Sequence, residues 1–292
     1  MRTVAIVGVG LIGGSFGLAL RAAGFRGRIL GVSSPPSAAE GLGAGCIDAG
    51  APLAEACAEA DLVFLAQPIG AILETLPLLD PLVKPGTLVT DAGSTKRAIV
   101  ARASACLRRA RFLGGHPMAG KETRGAAAAE AGLFKGRPWL LTPSPGDGLA
   151  GAGRLLDFLE AFGAEVSTMT PEEHDRAVAR SSHVPQLVST ALAARLHSLN
   201  DPAIAAAAGP GLLGMTRLAL SSYEIWRGIL ATNGDFIAEE LAGFEAQLGC
   251  VLGSAERCFS EANSFAARLR GPRTGDPAPA GSPGAGEIFE DE

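Results

Sequence analysis

A chain of 292 residues with 25 basic and 30 acidic side chains carries a formal charge of −5, with 47% hydrophobic and 19% charged residues. This is the balance of a soluble globular protein, and at ~150 residues per domain the length suits one or two domains. A pI near 5.5 and the shortness of both arginine-rich stretches, Arg108 to Arg111 and Arg268 to Arg273, exclude nucleic acid as an expected partner.

The chain opens with an uncharged run from Thr3 to Leu20 that superficially resembles a secretory signal, but glycines at 8, 10, 13, 14 and 17 interrupt it at the spacing of a nucleotide-binding turn. It is therefore read as part of the fold. No other stretch approaches the ~20 apolar residues of a membrane span. From Val4 to about Met169, β-branched or apolar runs alternate with helix-like segments: Val4 to Val7, Arg28 to Val32, Leu62 to Ala66, Thr87 to Asp91, Phe112 to Gly115, Trp139 to Thr142 and Glu165 to Met169. That alternation predicts an α/β fold with a parallel sheet.

At Thr170 the character changes. Thr170-Pro-Glu-Glu173 supplies an N-cap, a proline at the first helical position and a capping-box glutamate, and no strand-like run follows. The expected domains are thus 1–169, binding a nucleotide, and 170–270, all helical. In the latter Phe236, Leu241, Phe244, Leu248, Val251, Leu252 and Phe259 form the stripe of one long amphipathic helix. Periodicity alone leaves open whether the stripe is an internal core or a subunit interface, but its size favours a homodimer. The tail 271–292 is rich in Gly, Pro and Ala and then acidic, a composition expected to be disordered.

Five cysteines, Cys46, Cys57, Cys106, Cys250 and Cys258, are widely spaced and show no metal-ligand pattern. They read as small buried hydrophobes in a reducing cytoplasm, and no metal is expected.

Val4-Ala-Ile-Val-Gly8-Val-Gly10-Leu11-Ile12-Gly13 places G-x-G-x-x-G directly after a strand and at a helix start, the context a dinucleotide requires. Gly8 permits the tight turn, Gly10 lets backbone approach a pyrophosphate, and Gly13 allows close helix packing, while the helix N-terminus faces the anion. Glycine turns also arise for purely steric reasons, so the strand and helix context carries the weight. At the end of the second strand, where an acidic residue would grip the adenosine ribose, stands Ser33. Serine serves NAD or NADP. No arginine follows to clamp a 2′-phosphate, which slightly favours NAD.

Two further segments lie just beyond strand ends: Asp91-Ala-Gly-Ser94-Thr-Lys96, and Gly114-Gly-His116-Pro-Met-Ala-Gly-Lys-Glu122. Ligands of open parallel sheets sit there. A lone histidine is ordinarily a satisfied structural imidazole, and Ser94 also suits a helix N-cap.

Together with Glu172-Glu-His174-Asp175, Ser182-His183-x-Pro185, Thr216-Arg217 and Trp226-Arg227, these motifs resemble the prephenate and arogenate dehydrogenases of tyrosine biosynthesis, over about residues 2–270. The resemblance implies a Rossmann-type domain, an all-α domain through which the chain dimerises, and NAD(P)-dependent oxidative decarboxylation. In that reaction hydride leaves ring carbon 4 of a cyclohexadienol, the 4-hydroxyl loses its proton, and the ring carboxylate departs as carbon dioxide. It implies that His116 accepts the hydroxyl proton, that Ser94 orients it, and that Arg217 holds a substrate carboxylate. Uncharged neighbours from Met215 to Ser222 argue against a mere surface arginine. His183 matches a family histidine near the substrate side chain. Gln186 departs from a second one and Gly214 from an acid, so the choice between prephenate and arogenate stays open. Glu122 is expected to close over the substrate, with a solvated loop carboxylate as the bland alternative. His174 and Asp175 are read as structural, and Trp226 as core or a partner-site contact.

Other Rossmann reductases with a helical second domain, such as β-hydroxyacid dehydrogenases, typically use a lysine or hydroxyl where this chain has His116. A non-catalytic NAD(P) sensor would have no need of His116, Ser94 and Arg217 together.

Overall fold

Each of the seven apolar runs forms a strand, and the computed structural model, which describes residues 1–144, 146 and 148–271, adds one more. The strands are β1 (Thr3–Val7), β2 (Arg28–Val32), β3 (Ala49–Gly50), β4 (Leu62–Leu65), β5 (Leu88–Asp91), β6 (Arg111–Pro117), β7 (Pro138–Pro143) and β8 (Glu165–Thr168). They make one sheet in the order β3-β2-β1-β4-β5-β6-β7-β8. β3 escapes a sequence reading because two residues show no period.

The sheet is parallel from β3 through β6, but β7 runs antiparallel to β6 and parallel to β8. This corrects the all-parallel expectation. The β6–β7 connection holds only a 3₁₀ turn, Ala126–Ala128, and Met118 N–H already bonds Pro138 C=O at 2.8 Å. A parallel pair needs a long crossover, which this link does not make.

Helices α1 (Leu11–Ala22), α2 (Pro35–Gly43), α3 (Leu53–Glu59), α4 (Ile69–Leu79), α5 (Arg97–Cys106) and α6 (Gly153–Ala161) connect the strands. Val4 and Ile6 face one core with Phe16, Phe64, Trp139 and Phe162, whereas Ala5 and Val7 face another with Ile72, Leu76 and Ile99. Successive strand residues point to opposite faces, so a sheet covered on both sides requires the unbroken apolar runs seen in the sequence.

Past residue 170 come α7 (Pro171–Val178), a π-helical turn (Ala179–His183), α8 (Val184–Leu199), α9 (Pro202–Ala206), α10 (Pro210–Thr216), a 3₁₀ turn (Arg217–Leu220), α11 (Tyr223–Val251) and α12 (Ala255–Arg270). The capping box is present as read: Thr170 Oγ1 accepts from Glu173 N–H, and Glu173 accepts from Thr170 N–H. The long stripe is not one helix. It breaks between Val251 and Ala255 at Gly253-Ser254, where a helical glycine costs about 1 kcal/mol relative to alanine. The expectation for the tail beyond Gly271 lies outside the described residues.

Two compact units arise, Met1–Leu241 and the segment from Ala242 onward. Within the first, Ile229, Phe236 and Ile237 are core. Within the second, Phe244, Leu248, Leu252 and Phe259 stand exposed. Among the described residues, no helix is long and apolar enough to cross a membrane.

Candidate active site

The strand order places a topological switch between β1 and β4, and open α/β sheets take their ligands at the carboxyl edge of such a switch. Gly8 stands there with φ +99°, and a Cβ on it would lie 2.7 Å from the Ala66 carbonyl oxygen. A Cβ on Gly13 would fall 2.0 Å from the Gly8 carbonyl oxygen, so α1 can approach the turn only without one. A Cβ added to Gly10 would meet no atom within 4 Å. That open cradle sits before the free amides of the first turn of α1, which begins at Leu11 and Ile12, and it fits a pyrophosphate. Gly8 N–H bonds Val32 C=O at 2.9 Å, which brings the turn beside Ser33, exposed just past β2.

On the same edge β5 ends in Asp91, wholly buried. Its Oδ1 accepts from Gly115 N–H at 3.1 Å and its Oδ2 from Gly93 N–H at 2.8 Å. The buried Lys96 ammonium pairs with the same carboxylate and donates to Gly115 C=O at 2.9 Å. Burial pulls the Lys96 pKa down, opposed by Asp91. Asp91 and Lys96 thus grip Gly115 through both its backbone groups, one residue before His116.

His116 is buried near the end of β6, and its Nδ1 lies 2.9 Å from His174 Nε2. His174 Nδ1 in turn lies 2.8 Å from Asp175 Oδ1. That carboxylate also caps α5, accepting from Lys96 N–H at 2.6 Å and Arg97 N–H at 2.9 Å. The sequence reading missed this: His174 joins His116 directly and Asp175 joins it through His174, so the imidazole's Nδ1 is held by His174 rather than by Ser94. Ser94 is half-buried and makes no hydrogen bond among the described residues, and the cap expected of it comes from Asp175. The quoted motif Glu172-Glu-His174-Asp175 was the available signal.

Asn233, fully buried at a non-helical residue inside α11, donates to Asp175 C=O at 2.8 Å and lies 3.2 Å from His183 Nδ1. His183, at the end of the π turn, packs edge-on against Trp226 at 5.7 Å. π turns recur at functional sites. Gln186 is spent on the protein: its amide donates to Leu218 C=O at 2.7 Å and to Thr190 Oγ1 at 3.1 Å. It therefore tethers the turn that carries Arg217. Arg217 and Glu122 face each other at 3.9 Å, both exposed, at 63% and 75%. Uncharged neighbours did not enclose the arginine as the sequence suggested, because α10 and the 3₁₀ turn bury no residue in the single chain.

Burial, and then the neighbouring His174, Lys96 and His183, push the His116 pKa well below its ordinary 6.5. Burial also lowers His174, and it lowers His183 to about 4. Each shift favours the neutral ring at pH 7. Unfolding frees them to bind protons below pH 6.5, so stability should fall as pH drops from about 6.5 toward 4, the window set by His183. Urea midpoints across that interval check this, and a flat dependence would contradict the burial of these rings.

The glycine cradle and the buried histidine on the carboxyl edge of a Rossmann-type sheet define a nucleotide-dependent oxidoreductase. Residues 16–168 match the profile of the prephenate dehydrogenase nucleotide-binding domain, and residues 170–252 match that of the prephenate dehydrogenase dimerization domain. A prephenate dehydrogenase of Bacillus subtilis is 36% identical over 246 residues, covering 81% of this chain and 66% of that protein. This chain thus spans about two thirds of that relative's length. The crystal structure of prephenate dehydrogenase from Aquifex aeolicus in complex with hydroxyphenyl propionate and NAD+ is similar at TM-score 0.83 and 31% identity, covering 92% of this chain and 97% of that one. A Synechocystis arogenate dehydrogenase is similar at TM-score 0.79 and 28% identity, covering 92% and 100%. The chain belongs to the prephenate dehydrogenase family.

Proposed function

We propose that this protein oxidatively decarboxylates prephenate to 4-hydroxyphenylpyruvate with NAD(P), as a homodimeric cytoplasmic enzyme. The observation that carries the reading is a buried His116, its Nδ1 held against His174 Nε2, on the carboxyl edge of the sheet that also carries the glycine cradle. Gly8, Gly10, Leu11, Ile12, Gly13 and Ser33 would hold the cofactor, which supplies the two-electron acceptor when bound. His116 takes the 4-hydroxyl proton at Nε2, and loss of the ring carboxylate as carbon dioxide makes the ring aromatic. Ser94 contacts the hydroxyl, Arg217 binds a substrate carboxylate with Glu122 beside it, and His183 lies toward the substrate side chain.

The domain boundary at residue 170 is part of this reading. Substrate recognition then belongs to the helices that follow, with Gln186 acting through the Arg217 turn. The exposed Leu248, Leu252 and Phe259 are the apolar surface a second copy would cover.

Initial rates of reduced-nicotinamide formation, with prephenate and arogenate each crossed against NAD and NADP, test the proposal. Prephenate with NAD should be fastest. Faster turnover of arogenate would move the substrate, and turnover of neither would overturn the reading. Ser33→Asp should abolish use of NADP and keep NAD, because a carboxylate repels the 2′-phosphate and accepts from the 2′-hydroxyl. Equal loss of both would show that this strand end does not face the ribose.

A further inference from the structure

We infer that His174 and Asp175 are positioning residues that decide which ring nitrogen of His116 is free to take a proton. The inference rests on the proposed role of His116 and deepens it.

Hydrogen-bond parity carries it. The Asp175 carboxylate already receives the backbone N–H groups of Lys96 and Arg97, so it is an acceptor. Those bonds and His174 hold its pKa below the usual carboxylate range against burial. His174 Nδ1, 2.8 Å from Asp175 Oδ1, must therefore carry a hydrogen. A neutral imidazole has one N–H and one lone pair, so His174 Nε2 is an acceptor. Across 2.9 Å it faces His116 Nδ1, which must then be the N–H of that ring. His116 Nε2 is left as the lone pair.

The other charged or titratable groups around the two rings do not offset this assignment. Lys96 is spent on Asp91 and Gly115 C=O, and His183 Nδ1 faces the Asn233 amide. Arg97 is engaged with Asp175 and Asp235. When a substrate proton reaches His116 Nε2, the imidazolium keeps its Nδ1–H on His174, and the Asp175 charge lies one ring away. No tautomer has to change during the reaction. In hydrolytic triads the wrong tautomer of the base costs ~10⁴ in kcat with the geometry intact.

The wild-type protein provides the direct test. Its four histidines can be labelled with ¹⁵N, assigned by single substitution, and their tautomers read from two-bond ¹H–¹⁵N correlations at neutral pH. His116 and His174 should both carry hydrogen on Nδ1. A hydrogen on His116 Nε2 would overturn the inference whatever the kinetics.

Two variants supply the second arm. His174→Leu removes the acceptor, whereas His174→Gln restores an amide oxygen near the position of Nε2. The Leu variant should lose ~10²-fold or more in kcat with substrate KM within about threefold, and the Gln variant should recover at least about tenfold of that loss. Equal rates in the two variants would count against positioning and for a purely structural histidine. Failure of the functional reading looks different: neither substrate turns over, yet both tautomers are as assigned.

Discussion

His116→Asn is expected to lower kcat by ~10²- to 10⁴-fold with substrate KM little changed, because a general base acts chiefly in the transition state. The pH dependence gives the same residue a second signature. The neutral ring is the active form, and its pKa lies well below 6.5 because the ring is buried beside His174, Lys96 and His183. Wild-type kcat/KM should therefore stay level from neutral into weakly acidic solution and fall only well below pH 6.5. The Asn variant should lose that acid limb. Arg217→Ala should fail differently, raising KM, since a charge-assisted pair forms in the ground state too. Its exposed guanidinium sets the cost in the single chain near that of a surface pair, about 1 kcal/mol or less. A larger rise in KM would mean that substrate or a second copy encloses the residue. The reversed pattern, with KM raised by the histidine change and kcat alone lowered by the arginine change, would sink both role assignments.

Lys96→Met should be strongly destabilising to the sheet domain. Lys96 and Asp91 are both fully buried, and removing one partner of such a pair costs ~3–5 kcal/mol because the other charge stays behind. Asp91 would keep its two backbone donors, Gly93 and Gly115, but Gly115 C=O would lose the ammonium. Urea denaturation reads the effect directly, as a midpoint lowered by roughly 2 M at an ordinary slope. Lys84→Met is the matched control. Its pair with Asp61 is partly exposed, at 46% and 33%, and should contribute about 1 kcal/mol or less. Equal effects of the two changes would show that the buried pair is not the brace of the β5–β6 edge.

The contrast between these residues also marks what the amino-acid pattern could reveal. The apolar runs of the central strands are visible because both faces of the sheet are covered there, and the glycine turn is visible because Gly8 and Gly13 have no room for a Cβ. Strand direction is not encoded in side-chain period, so the reversal at β7 came only with the fold. The helix start at Thr170 was legible from its cap, a local signal. Which neighbour α7 buries itself against depends on residues some sixty to eighty positions away. His174 and Asp175 therefore looked like ordinary helix residues, although they touch His116 and the start of α5. Ser94 was the converse: its position suited both a cap and a substrate contact, and a distant carboxylate took the first task. Gly253 lay in plain view inside the apolar stripe, but the stripe's regular spacing outweighed it.

The cap on α5 has a further consequence. Asp175 accepts the amides of Lys96 and Arg97 from 79 and 78 residues along the chain, so the protection of those two amides belongs to another segment. In native-state hydrogen exchange they should open together with α7 rather than with the fraying end of their own helix, as members of one cooperative unit. Whatever loosens α7 then releases, in a single event, the first turn of α5, the carboxylate that caps it and the ring that faces His116.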